Sequence, residues 1–251
     1  KKEGAVDLEK FQEQVFFSTV RITIQGETGT GASVGTGFLL GLPIGSKEGE
    51  TRSALLLISN RHVYGNTARP IVLNFHRRKT DDHNRPDLGK TVTFHAKDFT
   101  GAFIGHPDPN VDLACLNVSF VGDGDRGVFY KSLFPGMISD FSEKDLLPGK
   151  DVWFVGYPEN RFDTANNLPL LRRGHISSIP KVDFNGRIQF VIDAQVFPGS
   201  SGSPVFAELD GKFKLIGVVE ETMIRNEQLQ TVPTDMRLGV DQVIGLGLVI
   251  K

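Results

Sequence analysis

The chain has 251 residues, 39% of them hydrophobic, and its 28 Lys and Arg residues nearly balance its 30 Asp and Glu residues, for a formal net charge of −2. This length can bury a substantial core, and the even charge mixture gives no electrostatic reason to expect a nucleic acid or a membrane surface as partner. The only cysteine, Cys115, excludes an intrachain disulfide and a cysteine-based zinc cluster.

The two ends of the chain show no targeting or membrane segment. No stretch approaches the roughly 20 apolar residues of a membrane helix, and residues 1–10 lack the apolar region of a signal peptide. We therefore expect a soluble protein, and the single cysteine favours the cytoplasm over the periplasm without deciding between them. Since the chain lacks an initiating Met and stops behind the apolar residues 248–250, we expect a fragment, with further domains or a regulatory partner outside it.

The predicted secondary structure begins with a short helix and continues in strands. Asp7 is placed to cap a helix in which Leu8, Phe11 and Val15 form one apolar stripe. From Ser18 onward, apolar and polar residues alternate with a period of two, which predicts a half-buried strand. Further strands are predicted near residues 33–41, 53–60, 70–75, 91–98, 112–119, 151–156, 170–178, 187–194, 203–208, 213–220 and 236–250.

The segments between these strands carry turn and loop signals. The Asn185-Gly186 pair predicts a tight hairpin. Residues 77–90 are almost entirely polar and predict a mobile surface loop. Residues 122–150 have the weakest strand pattern and predict a connection between two β units. About a dozen short strands joined in this way are typical of a β-sandwich or a pair of barrels.

Residues 197–205 (FPGSSGSPV) put Ser201 on a glycine-flanked turn between two apolar segments. A nucleophilic serine needs a tight turn whose backbone N–H groups point at the substrate carbonyl oxygen, and glycines permit such a turn. The same composition is common in plain surface turns. This segment alone therefore leaves a catalytic and a structural interpretation open.

His62 and Asp112 are candidates for the base and the orienting carboxylate that a nucleophilic serine requires. His62 follows an apolar strand, and Asp112 precedes another. Each also has a structural interpretation, as a strand-end histidine bonded to a backbone carbonyl and as a turn-capping aspartate. The order histidine, aspartate, serine along the chain is that of chymotrypsin, and it makes the combination more informative than any one residue.

Five segments carry a resemblance to a known family. They are residues 35–40 (GTGFLL), 58–63 (ISNRHV), 112–116 (DLACL), 155–158 (VGYP) and 198–204 (PGSSGSP). Together they resemble the trypsin-like serine peptidases, and most closely the disulfide-free HtrA/Deg-like bacterial branch, although no PDZ domain is visible after the last predicted strand.

This resemblance implies an all-β fold. It consists of two antiparallel six-stranded β-barrels of the chymotrypsin/trypsin type, with a short N-terminal helix and an active site in the cleft between the barrels. The expected units are residues 1–120 with the helix and the first barrel, residues 121–150 as the inter-barrel connection, and residues 151–251 as the second barrel.

The resemblance also implies a serine endopeptidase that cleaves polypeptides through an acyl-enzyme intermediate. By this resemblance Ser201 is the nucleophile, His62 the general base and then the general acid, and Asp112 the orienting carboxylate. The backbone N–H groups of Gly199 and Ser201 would form the oxyanion hole. Ser200 stands where the family usually has Asp or Asn, which argues against activation through a newly formed N-terminus.

Substrate preference is less determined by the sequence. In the family, the strand after the nucleophile lines the primary pocket, and here it corresponds to residues 215–222. Glu220 or Glu221 beside that pocket, with Thr222, would favour a basic side chain before the scissile bond; alternatively, both carboxylates point to solvent. Gln195 occupies the position of the pocket acid of trypsin, which argues against a simple trypsin-like preference.

Other polar clusters predict no further chemistry. The glycine-rich residues 26–37 lack the Gly-Lys-Ser/Thr of a phosphate loop. His76, Asp81, Asp82 and His83 have no recognised metal-ligand spacing. We therefore expect neither a cofactor nor a metal site.

Two functional alternatives remain open from the sequence. One is a latent trypsin-like module that mainly binds partners until its oxyanion hole forms, with the long polar residues 159–167 as a regulatory loop. The other is a hydrolase of non-peptide esters, because acyl-transfer chemistry is common to both.

Overall fold

The structure is a computed structural model and describes residues 6–26, 31–47, 50–230 and 237–251. In these residues two short α-helices, α1 (Phe11–Gln14) and α2 (Arg61–Tyr64), accompany a large set of strands. The strands are β1 (Thr19–Gln25), β2 (Ala32–Lys47), β3 (Glu50–Ser59), β4 (Ile71–Arg78), β5 (Pro86–Ala96), β6 (Phe103–Gly105), β7 (Ala114–Asn117), β8 (Val128–Phe129), β9 (Asp151–Gly156), β10 (Leu170–Ile176), β11 (Gln189–Asp193), β12 (Pro204–Leu209), β13 (Lys212–Gln230) and β14 (Arg237–Ile250). Single 3₁₀ turns lie at Val15–Phe17, Thr100–Ala102, Ser119–Gly122, Gly124–Arg126, Pro135–Met137 and Pro158–Asn160.

The first half of the chain forms one eight-stranded sheet. Its strand order is β5-β4-β1-β2-β3-β7-β6, and β8 pairs with β4. Alternate residues of β1, Val20, Ile22 and Ile24, point into a core shared with Leu57 and Leu73. The family resemblance implied six strands here. The difference comes from β6 and β8, which have three and two residues and are too short to produce an alternating pattern in the sequence.

The second half forms a closed barrel with the strand order β10-β11-β14-β13-β12-β9. Its interior is apolar, and Phe154, Phe190, Ile192, Val205 and Val249 are almost fully buried in one cluster. The predicted all-β fold with a six-stranded barrel and a short N-terminal helix is thereby confirmed.

A third apolar cluster joins the sheet to the barrel. Phe38 of β2 packs in it with Val155 of β9 and Phe206 of β12. Helix α1 lies against the same cluster, since the Phe11 ring is 4.9 Å from the Phe206 ring and stacks 4.2 Å from that of Phe213. This shared core brings the loops of the two units together.

The N-terminal helix begins later than the sequence predicted. Lys10, not Asp7, occupies its N-cap position. The Asp7 carboxylate instead accepts the Glu9 N–H at 3.1 Å, in a turn that precedes the helix. Among the described residues, no helix is both long enough and apolar enough to cross a membrane.

One turn prediction is confirmed and one loop prediction is wrong. Asn185 and Gly186 have φ angles of 52° and 74°, the left-handed values that a tight hairpin of this type requires. Residues 77–90 are not a single loop, because β4 continues to Arg78 and β5 begins at Pro86. This extension of the hairpin is polar, so it lacks the apolar alternation that identifies a strand in a sequence.

Candidate active site

His62 and Asp112 form a direct pair at the edge of the first sheet. His62 lies on α2, which follows the end of β3, and its Nδ1 is in hydrogen-bond contact with Oδ2 of Asp112. Oδ1 of Asp112 accepts the backbone N–H of His62 at 2.9 Å. The Asp112 carbonyl accepts from Asn60 Nδ2 at 2.9 Å and from the Arg61 N–H at 3.2 Å. These contacts fix the aspartate to the helical turn that carries the histidine.

The environment of His62 favours its charged form. The pKa of His62 is raised from its usual value of 6.5, chiefly by the hydrogen bond to Asp112, while partial burial opposes the shift. The negative charges of Asp112, Glu220 and Glu221 raise this pKa further. The side chain of His62 is 51% exposed, so a substrate can reach the imidazole.

The Ser201 turn docks against the strands of the first sheet. The Thr36 N–H on β2 donates to the Ser201 carbonyl at 3.0 Å, and Thr36 Oγ1 donates to the Gly199 carbonyl at 2.8 Å. Ser59, at the end of β3, donates through Oγ to the Thr36 carbonyl at 2.6 Å. Gly202 has φ +86°, and a Cβ there would lie 1.9 Å from the Thr36 oxygen. The strand that leads to His62 therefore also supports the serine turn.

The backbone N–H groups of Gly199 and Ser201 have no hydrogen-bond acceptor among the described residues. The turn between them closes on itself, since the Ser200 N–H donates to the Phe197 carbonyl and the Ser203 N–H to the Ser200 carbonyl, both at 3.0 Å. Within the described residues, the Ser201 hydroxyl makes no hydrogen bond to His62. The N–H groups of Gly199 and Ser201 are therefore two unpaired donors next to the Ser201 hydroxyl, an arrangement that can bind an oxyanion.

Two consecutive residues next to this turn hold strained backbone conformations. Glu159 and Asn160 have φ angles of 48° and 57°, in the left-handed region that side chains with a Cβ rarely adopt. The Glu159 N–H donates to the Pro198 carbonyl at 2.6 Å and so orients the Pro198–Gly199 peptide. Arg21 of β1 donates to Asn160 Oδ1 at 2.9 Å, which ties this segment to the first sheet.

Glu220 lies beside the His62–Asp112 pair. Its carboxylate is half-buried and accepts a hydrogen bond from Gln189 Nε2. Glu220 and Asp112 line one small cavity together with Arg187 and Gln189. The pKa of Glu220 is raised, first by burial and then by the charges of Asp112 and Glu221.

The other residues expected in the pocket lie around the segment that precedes Ser201. Gln195 is exposed, and its carbonyl accepts from Arg172 Nη1 at 2.6 Å. Thr222 donates through Oγ1 to the Val196 carbonyl at 2.7 Å. Glu221 is exposed to solvent. Their contribution to substrate preference stays a prediction.

The sequence patterns did not reveal the residues that support the serine turn. Thr36 and Ser59 lie within motifs of the family resemblance, and both are buried. Each is a small polar residue beside an apolar run and next to a glycine or an asparagine, and this pattern is the signal that could have identified them. Arg172 belongs to no motif. Its contact with Ser200, the residue before Ser201, joins a strand to a turn that is distant in sequence.

Within the described residues, no group of three or more His, Cys, Asp and Glu side chains is arranged to hold a metal ion. Cys115 is half-buried on β7, and burial raises the pKa of its thiol. A raised pKa lowers the thiolate fraction, so this residue is a weak nucleophile.

Comparison with known proteins identifies both a family and similar folds. The profile of a family described as "Trypsin-like peptidase domain" matches residues 35–218. A serine endoprotease from Yersinia pestis is 14% identical to this chain and has a TM-score of 0.50. The match covers 99% of this chain and 63% of the length of the Yersinia pestis protein. The active form of the Rv3671c protease from M. tuberculosis is 18% identical, with a TM-score of 0.50 over 94% of this chain and 76% of its own. At these identities the two structures show a common fold. A search of curated proteins finds no match.

Proposed function

This chain belongs to the family of trypsin-like peptidase domains, and we propose that it is a serine endopeptidase. It hydrolyses peptide bonds within polypeptides through a Ser-His-Asp triad of Ser201, His62 and Asp112 and an acyl-enzyme intermediate. The observation that carries this proposal is the junction between the two units. His62, which is paired with Asp112, follows the same strand end that supports a glycine-flanked serine turn.

Each residue of the triad has a defined chemical role in this mechanism. His62 takes the Ser201 hydroxyl proton while the serine oxygen attacks the scissile carbonyl carbon. The protonated His62 then gives that proton to the amine as the C–N bond breaks. In the second half of the reaction, His62 takes a proton from water while the water oxygen attacks the acyl-enzyme carbonyl. His62 then returns the proton to Ser201 as the ester bond breaks, which releases the carboxylic acid product. Asp112 holds the proton on Nδ1 of the neutral His62, so that Nε2 is free to act as the base.

The oxyanion hole consists of the Gly199 and Ser201 N–H groups. Neither N–H group has an acceptor in the described structure, so both are unpaired donors, as a formed hole requires. The missing hydrogen bond between Ser201 and His62 is compatible with catalysis, because such contacts are often long until substrate binds. The strained residues Glu159 and Asn160 orient the Pro198–Gly199 peptide, and a ligand that moved them would regulate the hole.

Cleavage-site profiling tests the proposed function. The native chain and its Ser201→Ala variant are incubated in parallel with a mixture of unfolded proteins, and new N-termini are identified by mass spectrometry. We expect cleavages within polypeptides by the native chain that are absent with Ser201→Ala. Turnover of a small acyl ester without any peptide cleavage would instead favour the ester hydrolase. Equal activity of both chains would contradict the catalytic serine.

A further inference from the structure

The residue before Ser201 is held by an arginine from a barrel strand. Arg172 lies on β10, and its Nη2 donates to Ser200 Oγ at 2.6 Å. Its Nη1 donates to the Gln195 carbonyl, also at 2.6 Å. Ser200 is completely buried. One guanidinium group therefore ties both ends of the segment 195–200, which leads into the nucleophile.

The surroundings of Arg172 are aromatic and not acidic. Its Cζ lies 4.5 Å from the centre of the Phe154 ring and 6.0 Å from that of Phe197. Among the described residues, no carboxylate lies within ion-pair distance of the guanidinium, and its Nε is buried without a partner. Burial lowers the pKa of Arg172 to about 10, which leaves it charged at neutral pH. Burying such a cation is costly, so its two hydrogen bonds to the loop are its main polar compensation.

We propose that Arg172 is a positioning residue that holds the segment 195–201 with the N–H groups of Gly199 and Ser201 available to the oxyanion. This inference rests on the proposed serine peptidase function and adds a residue to its machinery. The planar fork of arginine reaches two acceptors at once, which a lysine ammonium group on a flexible chain does not reproduce.

Three variants separate the effect of the two hydrogen bonds of Arg172 from the effect of its charge and from a general loss of stability. Arg172→Met removes both the hydrogen bonds and the charge, and Arg172→Lys retains only the charge. Arg173→Met is the matched control, since the exposed Arg173 is the next residue on β10 and contacts Asp151 and Trp153, away from the serine turn.

Steady-state kinetics on a peptide substrate give the first readout. We expect Arg172→Met to lower kcat by roughly 10² to 10³-fold with little change in KM, because losing an oxyanion-hole donor has an effect of this size. The kcat of Arg172→Lys should lie between that of Arg172→Met and that of the native chain. The kcat of Arg173→Met should stay within about threefold of native. The affinity of a peptide boronic acid, which forms a tetrahedral adduct with the serine, should fall by the same factor as kcat/KM.

Hydrogen exchange gives a second readout that does not depend on activity. Exchange across residues 195–203, where the Ser200 and Ser203 amides close the turn, should accelerate in Arg172→Met. Exchange across residues 58–64, around His62, should stay unchanged. If Arg172→Met fails to fold, Ser200→Ala removes one acceptor of the fork and is expected to lower kcat roughly 10-fold.

The results that would overturn the proposal are specific. They are an unchanged exchange of residues 195–203, a kcat for Arg172→Met within threefold of native, or a loss confined to KM. If Ser200→Ala has to be used in place of Arg172→Met, a kcat within twofold of native would likewise overturn the proposal. A native chain that cleaves no peptide and does not differ from Ser201→Ala contradicts the proposed function, and the exchange measurement then still decides whether Arg172 holds the turn.

Discussion

Asp112 contacts His62 through both carboxylate oxygens, one on the imidazole ring and one on the backbone N–H. In an asparagine at this position the amide oxygen accepts the His62 backbone N–H, so the NH2 group faces Nδ1 and donates to it. The imidazole proton then lies on Nε2, which can no longer act as the base. We predict that Asp112→Asn lowers kcat by about 10⁴-fold while the fold is retained. Peptide kinetics and circular dichroism measure the two effects. Asp108→Asn, in the same exposed loop, should retain activity, and a similar loss in that control would contradict the assigned role.

Glu220 adds negative charge beside the same pair. His62 acts as a base only when it is unprotonated, so kcat/KM falls as the pH drops through the pKa of His62, which Glu220 helps to raise. Glu220→Gln removes this charge and is predicted to lower the pKa of His62, which moves the acid limb of the pH profile of kcat/KM to lower pH. Glu221→Gln should produce a smaller shift in the same direction, because Glu221 contributes less. An acid limb that moves to higher pH would contradict this coupling.

At the level of residues, the sequence could propose which side chains carry the chemistry, but it could not show how they are held. Ser201 was recognisable from its flanking glycines, and His62 and Asp112 from their order and their strand-end positions. The contacts of Thr36 with the serine turn and of Glu220 with the Asp112 cavity join strands far apart in the chain. Such contacts depend on tertiary packing, which no local pattern encodes.

At the level of elements, the Gly202 turn packs against Thr36 of β2 without room for a side chain. Alanine at this position meets both an unfavourable φ and a Thr36 oxygen 1.9 Å from the new Cβ. We predict that Gly202→Ala lowers the free energy of unfolding by at least about 3 kcal/mol and abolishes peptide cleavage. Urea denaturation and peptide kinetics provide the measurements.

Gly211 is a matched control for this substitution. Its φ is +72°, but a Cβ there meets no atom within 4 Å. Gly211→Ala therefore adds only the backbone strain of about 1–2 kcal/mol and should leave the specific activity of the folded protein unchanged. Equal effects of the two substitutions would mean that docking on Thr36 does not support the serine turn.

The strands were predicted most accurately where one face is buried. Strand β1 shows regular alternation, and β14 was located within one residue of its observed start. The short β6 and β8 and the polar ends of β4 and β5 were missed because they bury too few side chains to impose a pattern. Helix α2 was also missed, although it carries His62, because four residues cannot display a helical period.

At the level of the whole molecule, the active site depends on a core that belongs to both units. Phe38 and Phe206 come from the sheet and from the barrel and lie in one buried cluster. The sequence indicated two β units, but it contained no signal for which faces pack against each other. Large-to-small changes in this shared cluster therefore alter the relative position of His62 and Ser201 as well as stability.

His76 makes the stability of the molecule sensitive to acid. It is buried on β4 against the Phe17 ring, and its ring nitrogens have no partner among the described residues. Burial lowers the pKa of His76 from 6.5 to about 4. Between these two values, only the unfolded chain binds the proton, so stability is complete above pH 6.5 and is lost as the pH falls toward 4.

This shift predicts a loss of about 2 kcal/mol in the free energy of unfolding between pH 7 and pH 4.5 that is due to His76. Urea denaturation at the two pH values measures it as the difference between the native chain and His76→Leu. The variant should lose less stability over this range. An equal loss in both proteins would mean that His76 is protonated within the folded structure.

The reactivity of Ser201, the proposed nucleophile, allows the most direct measurement. A fluorophosphonate reacts with a serine only where a base and an oxyanion hole activate it, and peptide mapping by mass spectrometry identifies the modified residue. The triad predicts a single adduct on Ser201 in the native chain, none in Ser201→Ala, and a much slower reaction in His62→Ala. An adduct on another residue, or labelling of the native chain that is no faster than that of His62→Ala, would contradict Ser201 as the activated nucleophile.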